Sequence, residues 1–193
     1  MTHKIALDQT CRQKAYFRRA AGTHRFVFNW ALAEWNKQFS DGKKPNGNSL
    51  KVQFNALYRD EFPWAGEVHR DCHSQPFTDL QKAWSNFFKG LAQKPVFKSR
   101  NKSRASFYVS NDRMTVDGCF IRLPVIGWVR MREQLRFEGK IASARVVEEC
   151  GHWFVCISVD VGDVMKQRTG NETVGVDLGI KTLATLSTGE QIE

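Results

Sequence analysis

Asp177 stands alone in an apolar stretch, Val174-Gly175-Val176-Asp177-Leu178-Gly179-Ile180, and a second apolar run follows from Leu183 to Leu186 before Thr188-Gly189. This pattern predicts a β-hairpin over 173–189 with one carboxylate near the end of its first strand. An exposed aspartate of that kind can hold one corner of a magnesium site, because magnesium takes a few hard oxygen ligands and keeps its waters. Two-metal phosphodiester hydrolysis needs several carboxylates, which clamp the ions against the attacking and leaving oxygens. A turn of the Asp-x-Gly type between two strands can also cradle a nucleotide phosphate. Nuclease and ATPase chemistry therefore both fit the motif, and an inert turn aspartate is the bland third reading.

A second stretch with chemical potential lies between Lys94 and Arg104. Lys94, Lys98, Arg100, Lys102 and Arg104 occur there with no acid among them, and Phe107 and Tyr108 follow. Exposed cations grip phosphates without reading sequence. The segment just before it, 74–91, places Phe77, Leu80, Trp84, Phe87, Phe88 and Leu91 at three- and four-residue spacings. That predicts an amphipathic helix whose other face carries Gln75, Gln81, Lys82, Asn86 and Lys89, groups suited to phosphates and base edges. Charge is unevenly spread: residues 1–60 carry 11 basic and 4 acidic side chains, 61–110 carry 8 and 4, and 111–193 carry 10 and 12. A basic first half with interleaved aromatics points to a nucleic-acid partner.

Other chemistries find less support. The five cysteines are scattered with no Cys-x-x-Cys pair, which argues against a zinc site and a disulfide framework and fits a cytoplasmic protein. His69 and His73 are four residues apart, with no suitable third ligand nearby. No signal peptide or membrane-spanning run is expected, and no Gly-rich phosphate loop or Ser–His–Asp set can be assembled.

The elements that must position these groups change character near Pro95. A short strand at 4–7 is expected to lead, through a cap at Asp8 or Thr10, into a basic helix ended by Gly22. Phe28, Leu32, Trp35 and Phe39 predict a second helix with one apolar face, stopped by Asp41-Gly42. A loop over 43–48 and a shorter helix capped by Ser49 follow, with Leu50, Phe54 and Leu57 inward. Ser74 is expected to cap the 74–91 helix, with Pro76 in its first turn. Beyond Pro95 the period is two, and strands are expected at 106–110, 113–117, 119–123, 128–132, 141–149 and 152–161, with a tight turn at Asp117-Gly118. The fold class is α+β: helices, then a small antiparallel barrel to 161, a polar linker at 162–172, and the 173–193 segment.

Several blocks together resemble the TnpB/OrfB family of transposon-encoded proteins, long called transposases. They are Gly22 to Leu32, Ser74 to Phe77 with Asn86 to Lys89, Pro95 to Arg100, Ile121 to Pro124 with Gly127 to Val129, and Gly175 to Lys181. The blocks fall in family order, which demotes the actin-like or sugar-kinase-type ATPase alternative. The resemblance implies an RNA-guided DNA endonuclease related to miniature type V CRISPR effectors. It implies a helical recognition domain (9–93) inserted in a wedge β-barrel (1–8 and 94–161), followed by the first hairpin of a RuvC/ribonuclease-H-like domain. It places Gln75, Lys82, Asn86, Ser106 and Tyr108 near target double-stranded DNA, and Lys98, Arg100, Lys102 and Arg104 near guide RNA or target backbone. Asp177 matches the family's first catalytic, magnesium-binding carboxylate.

Family members continue with a second motif carrying Glu, a zinc-binding pair of Cys-x-x-Cys motifs and a third motif carrying Asp, and none occurs in this sequence. The expectation is therefore an N-terminal portion that binds nucleic acid and does not cut alone. Such a portion would be a truncated gene product, a fragment, or a relative reduced to non-catalytic, repressor-like DNA binding, and a chain supplying the missing nuclease half is a further expected partner.

Overall fold

The computed structural model describes residues 1–162, 174–179 and 182–192. Two units are distinguished, Met1–Gly162 and Asp163–Glu193. The expected linker at 162–172 lies, apart from Gly162, outside the described residues.

In the first unit, strand β1 (Thr2–Asp8) leads into helix α1 (Cys11–Ser40). Thr10 caps α1 through a reciprocal box with Gln13: the Gln13 N–H donates to Thr10 Oγ1, and the Thr10 N–H donates to Gln13 Oε1 at 2.9 Å. The expected break at Gly22 is absent, and α1 runs on for 30 residues, about 45 Å at 1.5 Å per residue. Two separate cores hold it straight through the glycine. Tyr16, Phe17, Ala20 and Ala21 pack with the sheet, while Val27, Phe28, Ala31, Leu32 and Trp35 pack with the other helices. Phe39, expected on that inner face, is exposed, because the helical core ends a turn earlier.

Gly22 is thus a local weakness overridden by packing at both ends. A Cβ there would meet nothing within 4 Å. Gly22→Ala should stabilise the protein by about 0.5–1 kcal/mol, measured as a higher urea midpoint. A lowered midpoint would show that the glycine has a structural role.

Helix α2 (Gly47–Glu61) starts two residues before the expected Ser49 cap, because Asn46 accepts from the Ser49 N–H at 2.9 Å instead. Gly47 packs so tightly that a Cβ would lie 2.8 Å from the Phe77 carbonyl, and its N–H donates to Gln81 Oε1. Helix α3 (Asp71–Phe88) begins at Asp71 rather than at Ser74, with Pro76 inside it. The earlier start follows from a long-range contact. One Asp71 oxygen accepts from both the Ser110 N–H, at 2.9 Å, and the Ser110 hydroxyl, at 2.8 Å, which ties the helix start to strand β2 (Ser106–Ser110). Leu50, Phe54, Phe77, Leu80 and Trp84 are buried as the spacing predicts, and Leu57 is half-buried.

The remaining strands are β3 (Thr115–Asp117), β4 (Phe120–Leu123), β5 (Gly127–Met131), β6 (Lys140–Glu149) and β7 (His152–Asp160). The strand expected from 113 begins at Thr115, since Asn111–Arg113 turn as a short 3-10 helix. All pairings are antiparallel, and the hydrogen-bonded order is β2-β6-β7-β1-β5-β4-β3. Alternate residues from the terminal strand β2, Phe107 and Val109, and from β4, next to the other end, Ile121 and Leu123, share one core with Trp153, Val155 and Ile157. The first turns of α1 cover it.

The second unit holds β8 (Val176–Asp177), β9 (Ala184–Leu186) and β10 (Gln191–Ile192) in antiparallel order β10-β9-β8. The expected hairpin pairing exists, with Val176 opposite Leu186 and Asp177 opposite Thr185. The third strand was not foreseen.

Candidate nucleic-acid interface

The segment between α3 and β2 is held against α1 by one side chain. Asn29 Nδ2 donates to the Lys98 carbonyl and Asn29 Oδ1 accepts from the Lys98 N–H, both at 2.8 Å. Further along, the Ser99 carbonyl accepts from the Ser103 N–H at 3.0 Å, and the two serine hydroxyls accept from the N–H groups of Lys102 and Ser99 at 3.1 Å. Arg100 and Lys102 therefore project from a pre-formed turn, which lowers the ordering cost of any contact they make.

Beside that turn runs a groove of about 470 Å³ lined by Arg18, Arg19, Gly22, Arg25 and Arg100, with Glu148 on its wall. Residues 18, 22 and 25 are spaced for one face of α1, and glycine at the middle position leaves room for close approach. Arg19 is paired with Glu67 at 3.3 Å. Among the described residues no carboxylate pairs with Arg18, Arg25 or Arg100.

The other basic residues of the segment are committed to the protein. Lys98 is half-buried, with Nζ 3.8 Å from the centre of the Phe28 ring. Burial, helped by the Arg145 charge, lowers its pKa against the pull of Asp79. Arg104 forms an ion pair with Glu149, which Lys4 also contacts. Ser106 opens β2 opposite Val147, and the Tyr108 ring lies 5.9 Å from the Arg145 guanidinium.

On α3, Gln75 is half-buried and its amide donates to Asp79 Oδ1 at 3.0 Å. Lys82 is exposed and Asn86 half-buried. Asp79 is the hub of this region, with Arg145 3.2 Å from Oδ2 and His24 Nε2 at 3.4 Å. Burial alone would raise the Asp79 pKa, but His24, Arg145 and Gln75 together hold it well below the usual carboxylate range. Burial depresses His24 in turn, despite Asp79. Sequence reading missed Asp79, Arg145, Asn29, Arg18 and Arg25. The i, i+4 pair Gln75/Asp79 and the 18/22/25 face were visible signals, but Arg145 comes from a distant strand.

A buried lock joins helices and sheet next to this site. The Tyr108 carbonyl can only accept, so His69 Nε2 carries the proton and donates to it at 2.9 Å. His69 Nδ1 then accepts from the Tyr16 hydroxyl at 2.8 Å, and that oxygen accepts from the His69 N–H at 3.2 Å.

In the second unit Asp177 is exposed, opposite Thr185. Among the described residues no three His, Cys, Asp or Glu side chains group so as to hold a metal ion. Asp177 by itself supplies one carboxylate donor, which does not fit a two-metal centre. No helix among the described residues is long and apolar enough to cross a membrane.

The helix-turn-helix domain named for OrfB of IS605 matches residues 1–44. The chain is 32% identical over 98% of its length to a protein of Escherichia coli strain K12 carried as a candidate "RNA-guided DNA endonuclease InsQ". These matches are to proteins of the TnpB/OrfB type, which the chain resembles along nearly its whole length. Relatives described in the same way, from Streptomyces pristinaespiralis and Mycobacterium tuberculosis, share 29% and 25% identity over 98% and 97% of the chain. The chain spans about half the length of these relatives, 48% in each case. Despite the description of the matched domain, residues 1–44 of this chain form one strand and one unbroken helix rather than two helices joined by a turn.

Proposed function

We propose that this chain is the nucleic-acid-binding portion of a transposon-associated, RNA-guided DNA endonuclease, gripping guide RNA and target DNA through the groove between α1 and the 94–105 turn. The observation that carries the reading is the convergence of Arg18, Arg25 and Arg100, without carboxylate partners among the described residues, around Gly22. Cations presented this way contact phosphates and displace counterions, giving a salt-dependent affinity. Half-buried Lys98 and paired Arg104 shape and fix the turn, while Arg100 and Lys102 do the gripping. The α-helices act as the recognition part, the seven-stranded sheet as the wedge, and β8–β9 as the opening of a RuvC-like fold. Asp177 then stands where the first catalytic carboxylate of a magnesium-dependent nuclease belongs, and this chain alone binds without cutting.

The test is binding of labelled RNA and duplex DNA over a salt series. Replacing Arg18, Arg25, Arg100 and Lys102 together by Gln should reduce the log–log salt slope by about three units, at roughly 0.7–0.9 per phosphate contact. An unchanged slope would make the groove an ordinary solvated surface. With magnesium, plasmid DNA should stay intact; cutting that disappears in Asp177→Ala would overturn the non-catalytic part of the reading.

A further inference from the structure

The β4–β5 hairpin meets the core with only one face. Ile121, Leu123, Val129 and Met131 are buried, while Phe120, Arg122, Trp128 and Arg130 occupy the outer face and are exposed. Register sets Phe120 opposite Arg130 and Arg122 opposite Trp128. Two aromatic rings and two guanidinium groups therefore alternate as a two-by-two array across adjacent strands. Both rings are 47% exposed. Neither arginine is paired with a carboxylate among the described residues.

The turn joining these strands adds a second, independent observation. Val125 sits there at φ 72° and is 68% exposed. A β-branched side chain in the left-handed region is strained, and such strain gathers at ligand clamps. Val125, Arg113 and Arg122 line a groove of about 660 Å³ alongside the array.

We propose that this face is a stacking platform for single-stranded nucleic acid, with bases on Trp128 and Phe120 and phosphates beside Arg122 and Arg130. Phe120 and Trp128 are diagonal neighbours, positions about 7–8 Å apart on a sheet, a spacing suited to bases drawn away from one another. A duplex keeps its base faces stacked inside and would leave both rings uncovered. Asp8 stands opposite Arg130 in register without forming an ion pair, so an apolar protein partner would bury two arginines whose guanidinium groups lack a bound carboxylate, at a desolvation cost. A single strand supplies an aromatic face for each ring and a phosphate for each cation. The proposal rests on the nucleic-acid reading above and adds a second surface to it. In strand order β6, β7 and β1 separate this hairpin from β2, which the basic turn feeds.

The test uses the full chain and a short labelled oligoadenylate RNA, with an abasic oligomer of equal length for comparison. Trp128→Leu and Phe120→Leu should each weaken RNA binding about tenfold and leave the salt slope unchanged. Arg122→Gln should instead lower the slope by about 0.7. Binding of RNA should quench tryptophan fluorescence in the parent and not in Trp128→Leu, and the abasic oligomer should bind the parent as weakly as RNA binds the leucine variants. Both rings lie outside the core, so urea midpoints should match the parent. RNA bound equally well by the parent and the double leucine variant would overturn the platform. If the Arg18/Arg25/Arg100/Lys102 variant still loses binding in that case, the groove reading survives. A parent that binds no oligomer overturns both.

Discussion

Acidification from about pH 7.5 to about 5.5 should destabilise the first unit. Three histidines, His24, His69 and His73, are only 2%, 5% and 8% exposed. In each, burial is the largest influence and lowers the pKa from the usual 6.5. Around and below that value the unfolded chain holds more protons on these three histidines than the folded chain does. Unfolding free energy therefore rises with pH, and each proton contributes about 1.4 kcal/mol per unit. The stability is fully present above about 6.5 and is lost as pH falls through the window beneath it. The geometry explains the refusal at His69, where Nδ1 must accept from Tyr16 while Nε2 donates to Tyr108. Asp79 adds a second, more acidic window. Its depressed pKa stabilises the fold above the ordinary carboxylate value of 3.8 and ceases to do so as the pH falls below it. Urea midpoints measured across the range should show both falls, and a flat midpoint down to about pH 5.5 would contradict the histidine account.

Phe54→Ala should cost about 3–5 kcal/mol, and the loss should reach the sheet as well as the helices. Phe54 is fully buried among Trp30, Tyr58, Phe62 and Phe77, at ring-centre distances of 5.1–6.2 Å. Emptying that space leaves a cavity that rigid aromatic neighbours cannot close. The damage should spread because α1 belongs to both cores, and because Asp71–Ser110 and Tyr16–His69–Tyr108 tie helices to strands. Far-UV circular dichroism and hydrogen exchange at Val155 and Ile157 in β7 should report the same destabilisation. Unchanged protection in β7 would show that the helices unfold independently of the sheet.

Much of the strand pattern was legible because alternation is local. Residues 106–110 were bounded correctly, and the expected strands near 120, 128, 141 and 152 fall within a residue or so of those observed. The same holds for the Thr10 cap and the Asp117-Gly118 turn, whose signals lie within a few residues of one another. The basic turn of 94–104 was legible from composition alone. Its division of labour was not, because whether Lys98 lies over Phe28, or Arg104 meets Glu149, depends on elements far along the chain.

The sequence by itself determined the strand and helix periods, the basic character of the first half, the lone aspartate at 177 and the resemblance to TnpB/OrfB proteins. Only the tertiary structure decided that α1 continues through Gly22, since burial on both sides of the glycine outweighs its helix cost of about 1 kcal/mol. It also decided that α3 starts at Asp71, through Ser110, and that Asp79, Arg145 and His24 meet, although 66 residues separate the first two. Local patterns record what one element prefers. Charge networks and shared cores arise from pairings between elements, and no window along the chain contains both partners.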